Sequence, residues 1–198
     1  KENSVLKNVA LGFSLMRTLN FNFQGRALPL IANLFSHNKK HNQTDLSEHL
    51  KIARPKIENL LKTDAENIAL GYYPISVLKP ENFISHALRI PLVYIDAVQS
   101  ALRRKNKQSK KFKTSQSDLL KELPAYYRRN FHFQTDGYLG ETSAKLYEHQ
   151  VEILFSGAAN AMRRLILLQM KKHFNSSDEE GLKFLEIGSG TGSLTKFV

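Results

Sequence analysis

The chain contains no cysteine, so several kinds of site are excluded before any motif is considered. Disulfide bonds, thiolate zinc sites and cysteine nucleophiles all require that residue. The chain also has no apolar run near the ~20 residues that a transmembrane helix needs. The short apolar stretch from Val9 to Met16 lies between Lys7 and Arg17 without a cleavage site, and it does not predict a signal peptide. We therefore expect a cytoplasmic protein without a transmembrane segment.

The chain has far fewer acidic than basic residues, and this excess of positive charge favours anionic binding partners. The chain has 18 Asp and Glu against 29 Lys and Arg, which leaves a formal net charge of +11. Such a field attracts nucleic acid, an acidic membrane surface, a phosphorylated ligand or an acidic partner. The hydrophobic share of 41% and the charged share of 24% are those of an ordinary globular chain that can bury a core.

The spacing of apolar residues predicts helices through most of the chain. The first is expected over residues 5–20, with one apolar face formed by Val5, Val9, Phe13, Met16 and Leu19. Two further helices are expected from Ser143 to Phe155 and from Ala158 to His173, with Gly157 as the break between them. The sequence therefore predicts a mainly helical region up to about residue 173.

Prolines and caps predict where the other helices begin and end. Pro29, Pro55, Pro80 and Pro91 are each expected in the first turn of a helix, where a missing N–H costs nothing. Thr63 with Glu66 three residues later matches a capping box, and Gly71 is placed to end that helix.

A basic run extends from Arg103 to Lys113, with seven Lys or Arg and no acid. Binding of single-stranded nucleic acid would require aromatic residues among the charges, and Phe112 stands alone. We expect the end of a helix, at about Lys105, to run into a solvated linker here, with a domain boundary. An anionic partner, either nucleic acid or an acidic membrane, remains the alternative for this run.

The most informative string is FLEIGSGTGSLTKF, residues 184–197. An apolar strand is predicted over residues 182–187, followed by three alternating glycines and a helix that starts at Ser193. A strand that leads through a glycine-rich turn into a helix N-terminus is how α/β folds hold nucleotide-like ligands. Glycine permits positive φ angles and close approach of a ligand to the backbone. The spacing G-x-G-x-G differs from the G-x-G-x-x-G of dinucleotide-binding folds.

With Glu186 before the glycines, the string resembles motif I of the class I S-adenosylmethionine-dependent methyltransferases. The resemblance implies that the loop wraps the methionine and ribose side of S-adenosylmethionine. It implies that Glu186 orients the loop and the amino group of the cofactor. The implied cofactor residues are Glu186, Gly188, Ser189, Gly190, Thr191 and Gly192. A plain strand-to-helix turn and a nicotinamide-type Rossmann loop remain the alternatives.

The resemblance also implies a fold and a domain division. The fold class is a mainly α N-terminal region that runs into the first βα unit of an α/β Rossmann-like methyltransferase domain. The division is a helical accessory region at 1–113, a helical segment at 114–181 and the start of the cofactor domain at 182–198. The remaining cofactor contacts are then expected beyond Val198, and the chain is expected to be inactive alone. The methyl acceptor is not identified.

Residues 126–164, which include SAKLYEHQ, resemble the segment before motif I in a group of bacterial methyltransferases. This resemblance makes Tyr138, Tyr147 and Glu148 candidates for lining the cofactor or substrate cavity. Tyr147 is also expected, as the alternative, to be a helix residue that packs on Val151.

Few other residues are candidates for chemistry, because methyl transfer is a direct displacement that needs alignment more than a nucleophile. His132 and Asp136 are candidates for orienting or deprotonating a substrate group. A histidine between Phe131 and Phe133 is more often a packed, hydrogen-bonded residue, and Asp136 with Gly137 also fits a turn. His37 and His41 have the spacing of a ligand pair, but no acid lies near them and we predict no metal site.

Two other functions remain alternatives to the methyltransferase. One is a non-enzymatic basic helical module that binds nucleic acid or an acidic partner, with GSGTG as a turn only. The other is the nucleotide-binding domain of an oxidoreductase. Both would leave the glycine loop without a role in methyl transfer.

Overall fold

The computed structural model of the protein describes residues 3–36, 43–79, 83–106, 121–127, 134, 140–174 and 183–198. Within these ranges the chain forms five α-helices. They are α1 (Ser4–Ser36), α2 (Gln43–Ala69), α3 (Phe83–Lys105), α4 (Glu141–Leu154) and α5 (Ala159–His173). Short 3-10 turns lie at Ile75–Leu78, Ala125–Tyr127 and Thr195–Phe197.

The predicted fold class, a helical region running into a Rossmann-like βα unit, is wrong. The described ranges contain no strand, and residues 183–186 have irregular backbone. Leu185 and Ile187, which were expected to be buried in a sheet, are 82% and 90% exposed. A strand is stable only when its N–H and C=O groups pair with a neighbouring strand. The rest of the described chain is helical and provides no such neighbour.

The chain divides into two compact units, and each unit is built from segments that are separated in the sequence. One unit comprises Lys1–Asn22, Asn42–Glu81 and Leu154–Val198, and the other comprises Phe23–His41 and Asn82–Ile153. The division predicted from sequence, at residues 113 and 181, stays a prediction.

The core of the first unit forms where α1, α2 and α5 meet. Ala10, Ala65, Ile68 and Tyr73 form one buried cluster. Leu61, Ala158 and Ala161 form a second cluster beside it, and α2 packs against α5. Each cluster contains two alanines, and small contact residues let helix axes approach closely.

The apolar face of α1 that the sequence predicts to be buried is exposed to solvent in the structure. Its buried side in the first unit consists of Ala10, Ser14 and Phe21, whereas Val5, Met16 and Leu19 are 70–72% exposed. The spacing of the larger apolar residues predicts that they form the packing face. The close packing with α2 requires small side chains at that position, so Ala10 occupies it.

Three prolines lie inside helices, not at their beginnings. Pro29 is within α1, Pro55 within α2 and Pro91 within α3, so the predicted restarts at these residues are wrong. Each proline is exposed. The carbonyl that loses its intrahelical partner can then bond to water, which reduces the cost of a proline in a helix. Pro80 lies outside the described residues.

Local hydrogen bonds explain where two of the helices begin and end. The Asn3 Oδ1 atom accepts a bond from the Leu6 N–H at 3.1 Å, as an N-cap does. α2 ends at Ala69, and Gly71 has φ +76°, as predicted for its C-terminus. The predicted capping box at Thr63 is wrong, because Thr63 lies inside α2 and its hydroxyl donates to the Asn59 carbonyl at 3.0 Å.

Candidate cofactor loop

The glycine-rich segment forms a compact loop that belongs to the first unit. Its three glycines adopt the left-handed backbone region, with φ of 75° at Gly188, 57° at Gly190 and 70° at Gly192. Residues with a Cβ rarely adopt this region. The alternation of glycine in the sequence therefore matches an alternation of left-handed backbone in the structure.

Two of the glycines leave open space where a side chain would lie. A Cβ built on Gly188 or on Gly190 would meet no atom within 4 Å. A Cβ on Gly192 would lie 3.8 Å from the Thr195 Oγ1 atom. Packing among the described residues therefore does not explain glycine at 188 and 190. Their backbone is accessible to a ligand.

Hydrogen bonds inside the segment hold the loop closed. The Gly192 N–H donates to the Ser189 carbonyl at 2.9 Å, and the hydroxyls of Thr191 and Ser193 lie 3.0 Å apart. The Thr195 hydroxyl donates to the Glu186 carboxylate, which joins the two ends of the loop. This contact occupies one carboxylate oxygen, and a carboxylate has about four acceptor positions in all.

The loop is connected to α5 through Phe197. The guanidinium carbon of Arg164 lies 5.5 Å from the centre of the Phe197 ring, within the range of a cation–π contact. Arg164 itself is buried and bonds with two nitrogens to Asp64 on α2, at 3.0 and 2.6 Å. The end of the loop therefore rests on a buried ion pair that joins α2 to α5.

Tyr73 adds a hydrogen bond to this buried ion pair. Its hydroxyl donates to the Asp64 Oδ1 atom at 2.7 Å. Burial raises the pKa of the Tyr73 hydroxyl far above its ordinary value of 10.0, and the hydrogen bond to Asp64 raises it further. Tyr73 is therefore a neutral donor at all physiological pH values, and its role in the unit is structural.

The other predicted site residues are not part of this loop. Tyr147 lies on α4 in the second unit, 45% exposed, and Glu148 beside it is partly buried. Both roles predicted for Tyr147 stay predictions. His132, Asp136, Tyr138, His37 and His41 lie outside the described residues.

The second unit has a polar interior that the sequence reasoning missed. Its centre is Gln134, whose side-chain amide donates to Gln150 Oε1 and to the Ser143 carbonyl. Gln150 in turn donates to Asp96 Oδ2 at 3.3 Å. The buried polar side chains of this unit are Gln24, Asp96, Ser100, Arg103, Gln134, Ser143, His149 and Glu152. Polar residues spaced three or four apart on α3, as at 96, 100 and 103, are the signal that could have indicated it.

His149 belongs to the same interior. Its Nε2 atom lies 2.7 Å from the Gln24 Oε1 atom, and both side chains are buried. This bond connects α1 to α4 within the second unit.

Arg103, the first residue of the basic run, belongs to this interior and not to a solvated linker. It lies in α3, is buried, and donates to the Gln134 carbonyl at 2.6 Å. Lys105 is exposed at the end of α3. Residues 107–113 lie outside the described ranges, so an anionic partner at the run stays a prediction.

We expect Arg103→Gln to lower the free energy of unfolding by about 1–3 kcal/mol, because a buried carbonyl loses a charged donor. Lys105→Gln is the matched control, and its effect should stay within about 0.5 kcal/mol. Urea unfolding of both variants measures the difference. Equal stability of the two variants would show that the Arg103 bond contributes nothing.

Comparisons with family models, with curated proteins and with solved structures give no match to this chain. None of the helices in the described part of the chain has the length and apolar character needed to span a bilayer. The same residues contain no group of three or more His, Asp or Glu side chains placed to hold a metal ion.

Proposed function

We propose that the chain contributes the cofactor loop and the preceding helical region of an S-adenosylmethionine-dependent methyltransferase. One observation carries the proposal. The three glycines of the GSGTG segment all have left-handed backbone, and two of them have open space where a Cβ would lie. Such a loop exposes its backbone to a ligand, and packing among the described residues does not require glycine at these two positions.

The residues of the loop fit the requirements of this cofactor. Gly188 and Gly190 would let it approach the backbone, and the Glu186 carboxylate keeps acceptor positions for an ammonium group. Ser189 and Thr191 are exposed on the same loop and carry hydroxyls for polar contacts. When bound, S-adenosylmethionine supplies an electrophilic methyl group, and the protein supplies alignment and exclusion of water.

The hydrogen bonds within the loop would also raise its affinity for the cofactor. The Gly192 N–H to Ser189 bond and the Thr195 to Glu186 bond hold the turn in one conformation. A loop that is ordered before binding does not have to be ordered by the ligand, which improves affinity. His132 and Asp136 remain the proposed candidates for orienting the acceptor, and the cytoplasmic location remains a prediction.

We expect Gly190→Val to lower the affinity for S-adenosylmethionine by about 100-fold or more, because a β-branched side chain would fill the open space and oppose positive φ. Titration calorimetry on the product of the complete reading frame measures this, with S-adenosylmethionine, S-adenosylhomocysteine and NAD as ligands. Wild-type protein should bind the first two and not NAD.

Gly71→Val is the matched control for this variant. Gly71 also has positive φ and open space at its Cβ, but it lies in the turn after α2. The two variants should therefore lose similar stability while only Gly190→Val loses the cofactor. Unchanged affinity in Gly190→Val, or binding of NAD by the wild type, would reject the proposal.

A further inference from the structure

The exposed face of α1 in the first unit carries a regular apolar stripe. Along it lie Val5, Val9, Gly12, Met16 and Leu19, separated by steps of four and three residues. Val5, Met16 and Leu19 are among the most exposed apolar side chains of the unit, and Phe13 lies at the edge of the stripe. Alternating steps of three and four residues are the spacing that packs one helix along another. We call residues 5–19 of this face the α1 stripe.

Gly12 lies at the middle of the α1 stripe, and packing among the described residues does not require a glycine there. A glycine inside a helix lowers helix stability relative to alanine. A Cβ on Gly12 would meet no atom within 4 Å. Glycine at an exposed apolar position is explained when another helix approaches the backbone there.

The distribution of charge on α1 indicates which kind of partner binds the α1 stripe. The helix has no acidic residue, and its basic residues in the first unit contact other elements. Lys7 pairs with Glu66 at 2.9 Å, and Arg17 donates to the Gly157 carbonyl at 3.2 Å. The α1 stripe is therefore uncharged, although the chain carries a net charge of +11. An acidic partner or an anionic membrane would find no cation on it, whereas a second copy would meet no like charge.

We propose that two copies of this chain associate through their α1 stripes, with the helices crossing at Gly12. Val5 and Leu19 each lie seven residues from Gly12, so a two-fold pair can use the same face on both copies. Each apolar side chain of the stripe contributes roughly 80 Å². With the polar residues at its edges the contact buries on the order of 500 Å² per copy, at the lower limit of specific interfaces.

Sedimentation equilibrium of this 198-residue chain tests the proposal. Because the contact lies at the lower limit of specific interfaces, we expect weak association, with a Kd on the order of 10 µM. Met16→Glu places a buried charge on both copies, and we expect it to weaken the dimer by about 100-fold. Ile52→Glu is the matched control, because Ile52 is an exposed apolar residue on α2 outside the stripe. Its Kd should equal that of the wild type.

Gly12→Ala gives the sharper test, because the proposal predicts two effects of opposite sign. Alanine should raise the melting temperature at concentrations well below the Kd, since it favours the helix. The same methyl group should weaken the dimer by about tenfold, since it separates the two backbones. Both effects are measured on one preparation, by calorimetry and by sedimentation.

Three outcomes would overturn the proposal. One is a wild-type chain that stays monomeric up to about 200 µM, or roughly 20 times the expected Kd. A second is an unchanged dimer in both Met16→Glu and Gly12→Ala. The third is a monomer that binds vesicles of mixed phosphatidylcholine and phosphatidylserine through the stripe, since a lipid surface would then be its partner. None of these outcomes bears on the cofactor loop.

Discussion

Arg164→Met is expected to lower the free energy of unfolding by about 3–5 kcal/mol, because it leaves the Asp64 carboxylate buried without its cation. Both partners are almost inaccessible to solvent, with side-chain exposures of 5% for Arg164 and 1% for Asp64. Methionine has a similar length and fills most of the space, so the loss reports the unpaired charge more than a cavity. Urea unfolding followed by circular dichroism at neutral pH measures the change.

The exposed pair Lys145–Glu141 on α4 is the control for this prediction. Its atoms are also close, at 3.0 Å, but both side chains are exposed. Lys145→Met should change stability by no more than about 0.5 kcal/mol, because water screens such pairs. The double variant Asp64→Leu with Arg164→Met should recover part of the loss, since no buried charge remains unpaired. A single Arg164→Met variant as stable as wild type would contradict the structural role of the pair.

Gly157→Ala is expected to cost about 2–4 kcal/mol through two effects that add. Gly157 has φ +79°, where a residue with a Cβ is strained by roughly 1–2 kcal/mol. Its Cβ would also lie 2.9 Å from an edge carbon of Phe21 and 3.2 Å from the Arg17 carbonyl oxygen. Backbone atoms of α1 cannot move as a side chain can, so the clash adds to the strain. Thermal and urea unfolding measure the sum.

Gly71→Ala separates the two effects. Gly71 has φ +76°, close to that of Gly157, but a Cβ there meets nothing within 4 Å. This variant should therefore show the backbone strain alone, about 1 kcal/mol. Equal losses at Gly71 and Gly157 would mean that α1 does not press against the turn between α4 and α5.

Local features of the structure follow from short stretches of sequence. The helices predicted from residues 143 to 155 and from 158 to 173 are confirmed at Glu141–Leu154 and Ala159–His173. Gly157 was predicted as the break between them, and it has the positive φ that a break requires. The end of α2 at Gly71 is confirmed for the same reason. Each of these features depends on the backbone preferences of a few neighbouring residues.

The polar interior of the second unit was not foreseen, because its members come from distant parts of the chain. Gln134 bonds to Gln150 on α4 and accepts from Arg103 on α3. Glutamine and arginine are most often surface residues, so their types alone indicate exposure. Burial becomes favourable only when a partner from another helix replaces water, and such pairings are invisible in one sequence.

The sequence by itself is enough to predict a cofactor loop, because the prediction depends only on the order of Glu186 and the three glycines that follow it. The positive φ angles of those glycines follow from the same residues. Whether residues 182–187 form a strand was not determined locally, because a strand needs partners for its backbone groups and the described chain provides only helices. The orientation of α1 was likewise set by packing. Its small residues fit closely against α2, and this contact turned the larger apolar side chains of the α1 stripe toward solvent.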